Sequence, residues 1–183
     1  MRLWTIQSAE AYRHLIDSGR LAADERYIVS DFIKAYQWMS VKLKAFCSAP
    51  KGINYPIWAW YQWEGKRRKR VDKEFANKGD RLIQLTIEID KAQVLLSDFD
   101  LFHFVLNNWY LSVDEADDLC FEGLDFNNQK LKDEYIRQSW DRIFDITKED
   151  DGWLYGKNSC KSIQAVFWQL TQENIIEVEE YAA

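Results

Sequence analysis

The sequence predicts an α+β fold, a single domain built on a central mixed or antiparallel sheet flanked by helices. Three observations lead there. Residues 82–90 alternate in the period of two that marks a strand, with Ile83, Leu85, Ile87 and Ile89 on one face and Gln84, Thr86 and Glu88 on the other. Phe32, Tyr36, Met39, Leu43 and Phe46 instead recur at three- and four-residue spacing, one apolar stripe along a helix. Strand-like and helix-like stretches do not alternate regularly, which disfavours a doubly wound parallel sheet. A length of 183 residues suits one core.

Each element has its own signal. Residues 3–7 (LWTIQ) read as a short strand. Ser8 can cap a helix, with Glu10 in its first turn, where a negative charge suits the exposed N–H groups. Tyr12, Leu15 and Ile16 share that helix's inner face, and Gly19 stops it. The second helix begins near Ser30 or Asp31 and keeps Lys34, Lys42 and Lys44 on its wet side. Pro50 and Gly52 open a loop, and residues 55–63 (YPIWAWYQW) form an aromatic strand. Strict alternation puts Trp58 and Trp60 on one face and Ile57, Tyr61 and Trp63 on the other, as in a central strand or one lining a ligand cleft.

Further along, residues 82–90 are half-buried, with the Gln84 face wet, and 94–96 make a short apolar step. Ser97 or Asp98 caps a helix carrying Phe99, Phe102, Phe104, Val105 and Leu106. Residues 112–128 are acidic and irregular. A helix over 129–144 turns Leu131, Tyr135, Ile136, Trp140 and Ile143 inward, and 149–152 is a turn. Residues 162–170 (SIQAVFWQL) form a strand apolar on both faces, 171–174 one helical turn, and 175–181 a last alternating strand.

Composition narrows the function classes. Aromatic residues make up 15% of the chain, while 2 Pro and 7 Gly exclude collagen-like and linker-rich readings. No apolar run approaches the ~20 residues of a membrane span. The opening MRLWTIQSAE turns polar too soon for a signal peptide, so a cytoplasmic protein is expected. Cys47, Cys120 and Cys160 are odd in number and widely spaced, which predicts buried or half-buried free thiols, with neither a disulfide framework nor a metal site. The sequence has no GxGxxG, GxxxxGK[ST], HExxH or GxSxG motif.

Charge is uneven. Residues 64–79 hold seven bases and three acids, a net +4, which leaves −10 on the remainder of a chain of net −6. The run Lys66, Arg67, Arg68, Lys69, Arg70 is too polar to pack, so 64–80 is expected to be an exposed, mobile loop. It is either a solvated hairpin or a patch that attracts nucleic-acid phosphates in a salt-dependent, sequence-blind way. Asp98, Asp100 and His103 form a D-x-D-x-x-H cluster at a strand–helix junction. Its functional reading is a general base or a metal-ligand pair; the commoner role of such an Asp is a helix N-cap. His14, alone on a helix, reads as structural or exposed. Most tryptophans are core, but Trp58, Trp60 and Trp63 crowd one strand. They could stack a nicotinamide, an adenine or a nucleic-acid base, or be sandwiched between helices.

Residues 3–7, YPIWAWYQW, LLSDFDLFHFVLN and SIQAVFWQL together resemble a bacterial family filed as domain of unknown function 3841, over nearly the whole chain. That resemblance implies no function. More distantly, LWTIQ followed by AYRHLIDSGRL, the aromatic strand, and SIQAVFWQL followed by TQENIIEVEEY resemble the ADP-ribosyltransferase fold. There the first strand holds NAD through a His or Arg, a second strand flanks the nicotinamide, and a late strand carries a catalytic Glu. The resemblance implies an enzyme that cleaves NAD and transfers ADP-ribose to a nucleic acid or protein. Trp4, Gln7, Trp58, Trp60 and Tyr61 would hold the cofactor, and Thr5 and Gln164 would stand at the catalytic positions. Thr5 replaces the His or Arg. Val166 falls at or beside the Glu, so Gln164 is the nearest polar residue and supplies the hydrogen bond without the charge. The alternative reading is a non-catalytic module holding a nucleotide or nucleic acid. A third is an enzyme built on Asp98, Asp100 and His103.

Overall fold

Six antiparallel strands form the central sheet in a computed structural model that describes residues 1–70, 81–125 and 127–182. In chain order they are β1 (Arg2–Ser8), β3 (Ile57–Gln62), β4 (Arg81–Glu88), β5 (Leu95–Asp98), β6 (Ile163–Phe167) and β8 (Ile175–Ala182). Their spatial order is β5-β6-β3-β1-β4-β8. A small second sheet pairs β2 (Arg20–Ala22) with β7 (Gln169–Thr171). The helices are α1 (Ala9–Ser18), α2 (Ile33–Phe46), α3 (Phe99–Leu106), α4 (Glu115–Glu122) and α5 (Gln129–Ser139). None is long and apolar enough to cross a membrane among the described residues.

Local chemistry explains the boundaries. Ser8 caps α1 by accepting from the Ala11 N–H, and Gly19 ends it at φ 80, a left-handed conformation that other residues enter only with strain. Asp98 caps α3, its Oδ1 accepting from the Asp100 and Leu101 N–H groups. Asp114 caps α4, whose first turn carries Glu115, Asp117 and Asp118.

The sheet separates two cores. On one face Leu3, Ile57, Ala59, Leu85, Ala165 and Phe167 pack with Leu15 of α1 and with Leu21 and Leu170 of the small sheet. On the other, Val166, Trp58 and Leu95 meet Met39 and Leu43 of α2, Phe102 of α3 and Ile136 of α5. This second layer covers β5, β6 and β3 only. Over β1 and β4 the same face carries Trp4, Gln84 and Thr86, all under 9% exposed. Arg67 lies over Trp4, the Arg70 carbonyl accepts from Gln84, and Thr86 donates to Glu177 of β8.

Several expectations are corrected. The Gln84 face of β4 is not wet, because Gln84 donates to the Arg70 carbonyl at 2.7 Å. A bulge between Trp60 and Gln62 shifts the register against β6 by one residue. Trp63 therefore returns to the side of Trp60, its ring centroid 4.9 Å away, instead of pointing opposite. Residues 112–128 contain α4, anchored where Asp117 accepts from Tyr110 and Arg142. The helix predicted over 129–144 ends at Ser139 and continues as a 3-10 turn from Trp140 to Phe144. The strand predicted over 162–170 breaks at Trp168, beyond which β7 joins the second sheet. The helix stripes are narrower than their spacing implies: Met39 and Leu43 are buried, but Ile16, Phe32, Phe46, Leu131 and Tyr135 are exposed. Cys120 and Cys160 are exposed and Cys47 is half-buried, all three as free thiols.

Two predictions follow from tight turns. Gly65 sits at φ 72, and a Cβ there would lie 1.8 Å from the Ser159 carbonyl oxygen. Gly65→Ala should cost more than about 2 kcal/mol in urea unfolding, since left-handed strain alone costs about 1–3. Asp150 accepts from four backbone N–H groups, those of Gly152, Leu154, Tyr155 and Gly156. These donors lower its pKa from the ordinary 3.8 to about 2. Its contribution to stability is present above pH 3.8 and lost as pH falls through about 2. Asp150→Asn should flatten that part of the acid dependence of Tm.

Candidate functional site

A well-lined concavity opens at the C-terminal end of β1. It is a cleft of about 690 Å³ walled by Gln7, His14 of α1, Arg26 and Tyr27, Tyr36 of α2, and Trp58 of β3. That volume falls within the range of small-molecule sites. The floor is built by hydrogen bonds along β1. Gln7 Nε2 donates to Thr5 Oγ1 at 2.8 Å, and Thr5 Oγ1 donates to the Trp58 carbonyl at 2.8 Å. The Trp58 ring stands 5.2 Å from Tyr36 and 4.8 Å from Phe102, centroid to centroid. Burial raises the Tyr36 phenol above its ordinary pKa. Trp58 Nε1 is buried and has no hydrogen-bond partner among the described residues.

The segment joining β2 to α2 forms the outer lip. Asp24 caps a 3-10 turn at Glu25–Tyr27 and grips Arg26 through its backbone N–H, at 2.9 Å, and its guanidinium. Arg26 holds the Asp24 carboxyl at a pKa of about 2, so it is an anion at neutral pH. Asp24, Arg26 and Tyr27 were not singled out from the sequence. Their only local signal is the D-x-R spacing just beyond the Gly19 stop.

The residues picked from the sequence scatter. Gln7 and Trp58 line the cleft, and Thr5 supports both from beneath while itself only 1% exposed. Trp4, Trp60 and Gln164 share one row across the sheet, Trp4 opposite Trp60 and Trp60 opposite Gln164. Gln164 is buried and donates to Ser97 Oγ at 3.2 Å. Trp60 packs edge-on to Trp63 and Phe99. Asp98 acts as a helix cap, and burial raises its pKa. His103 is exposed, its ring packed edge-on to Phe99 and its Nδ1 near the Phe99 and Asp100 carbonyls. Among the described residues no group of three or more His, Cys, Asp or Glu is placed to hold a metal.

The basic run does pack, contrary to expectation, because guanidinium planes stack on rings that an ammonium or a helix would leave uncovered. Arg67 lies 3.7 Å over the Tyr61 ring and 5.1 Å over Trp4, and donates to the Arg2 carbonyl at 2.6 Å. Arg70 lies 4.0 Å over Trp63 and 5.0 Å over Trp60. Lys69 pairs with Glu177 and Glu179, and Arg68 with Glu64. Lys66, Arg67 and Arg68 remain exposed. Residues 71–80, the rest of the loop expected from sequence, lie outside the described residues. Arg70→Ala should destabilise the domain by about 1–2 kcal/mol in urea unfolding, and Arg70→Lys should restore only part of that. A neutral effect would show that the stack contributes nothing.

No curated protein and no solved structure matches the chain. A family model does, over residues 2–176, described as a domain of unknown function, DUF3841. The match spans five strands of the central sheet and the first two residues of β8, with both cores and the cleft, and on that extent the chain belongs to the DUF3841 family.

Proposed function

We propose that this domain binds a nucleotide of the NAD class in the cleft over Gln7, Tyr36 and Trp58. One observation carries the reading: Tyr27, Tyr36 and Trp58 stand together on the wall of one cleft, beside the amide of Gln7. These three rings give the cleft aromatic faces for a base or a nicotinamide ring.

ADP-ribosyl transfer to a nucleic acid or protein is the activity that the sequence resemblance favours. Such a reaction needs a carboxylate near the ribose it activates. Gln164 lacks one, but Glu10 lines the cleft and can supply the charge. Lys66 and Arg67, exposed on the other part of the sheet, offer contacts to a phosphate-bearing acceptor.

Calorimetry with NAD tests the binding. The wild-type protein should bind with a Kd below millimolar, and Tyr27→Ala, which removes an exposed ring of the cleft, should weaken binding roughly tenfold. Absence of heat at millimolar NAD would overturn the proposal. Release of nicotinamide, abolished by Glu10→Gln, would establish the transferase chemistry; binding without release would leave a non-catalytic nucleotide module.

A further inference from the structure

A second cleft of about 530 Å³ adjoins the first and shares His14, Ala22, Ala23 and Asp24 with it. Its distinguishing side chains are Arg20 and Lys51. Both are held out by built features. Gly19 in its left-handed cap ends α1, and Arg20 then enters β2 opposite Thr171 of β7. Lys51 stands at the apex of a turn closed by the Ile53 N–H donating to the Pro50 carbonyl at 3.1 Å. Gly52 takes the third position of that turn at φ 83, where a left-handed residue is required.

The acids on this wall are already engaged. Asp24 is neutralised by Arg26, and Glu25 Oε2 accepts from the Tyr55 hydroxyl at 2.9 Å. Arg20 and Lys51 make no ion pair among the described residues. On a chain of net −6, two unpaired cations beside one cleft form a local field that draws anions.

We infer that this second cleft is a phosphate subsite, taking the pyrophosphate or a terminal phosphoryl group of the ligand whose ring lies against Trp58. The identity of that ligand rests on the nucleotide reading; the charge of the group does not. Arg20 supplies a planar fork and Lys51 a point charge, the pair that phosphate oxygens commonly meet. His14 lies where the two clefts join, between ring and phosphate.

The test uses the full chain, inorganic pyrophosphate and NAD, with an Arg20→Ala/Lys51→Ala double variant. Both side chains are exposed, so the variant should keep the wild-type circular dichroism and ligand-free Tm. Pyrophosphate should raise the Tm of the wild-type protein and leave that of the variant unchanged, and NAD affinity should drop at least tenfold in the variant. No Tm shift in the wild type, or equal shifts in both proteins, would overturn the subsite. So would unchanged NAD affinity in the variant, which would leave the Trp58 cleft standing. A pyrophosphate shift that needs Arg20 and Lys51, in a protein that ignores NAD, would support the subsite while removing NAD as the ligand.

Discussion

Trp4 and Trp60 lie opposite each other on β1 and β3, at the margin of the helical layer, where Phe99 of α3 meets Trp60, and Arg67 and Arg70 lie over them. A six-stranded sheet has two faces to remove from water. One is covered by α1 and the small β2–β7 sheet, whereas α2, α3 and α5 reach only β5, β6 and β3 on the other. Guanidinium groups suit the remaining area because they are flat, weakly hydrated and attracted to ring faces. Their backbone also meets the polar residues of that face: the Arg70 carbonyl takes the Gln84 amide, and Lys69 pairs with the glutamates of β8. The strongest charge block in the chain is therefore, over residues 67–70, largely a structural layer.

That layer separates the two uses of tryptophan. Trp60 is enclosed by Trp63, Phe99 and Arg70, so its ring faces are largely taken. Trp58, two residues earlier on the same strand, packs between Tyr36 and Phe102 and lines a cleft. The cleft exists because β1 hands over directly to α1, and because the segment after Gly19 travels outward through β2 before α2 returns to the sheet. Asp24 and Arg26 rigidify that excursion.

Much of the fold was legible where one residue type has one dominant role. Ser8, Gly19 and Asp98 mark helix ends, and the isoleucines of β4 mark a strand with one buried face. What escaped depends on contacts between distant residues. Nothing near Trp4 or Gln84 announces that Arg67 and Arg70 will meet them. The bulge at Trp60–Gln62 is set by pairing with β6, and a single slipped residue was enough to move Trp63 to the other face. The candidate site was legible only in part. Gln7 and Trp58, named from the resemblance, line the cleft, but Gln164, named the same way and on a neighbouring strand, points into packing with Ser97. Arg26 and Tyr27 belong to an irregular segment whose geometry no periodicity encodes.

The strand order β5-β6-β3-β1-β4-β8 also governs how the chain must assemble. β3 pairs with β6 near the far end of the sequence, and β1 pairs with strands beyond α2, so no hairpin of immediate neighbours nucleates the centre of the sheet. Topologies of this kind fold slowly, because loop closure precedes the contacts that reward it. Until β6 arrives, the run from Ile57 to Trp63 is an aromatic strand with an open edge, the kind of segment that pairs with other chains. The five bases that follow it then act as a gatekeeper: their charge opposes self-association of the nascent chain before they settle over the rings.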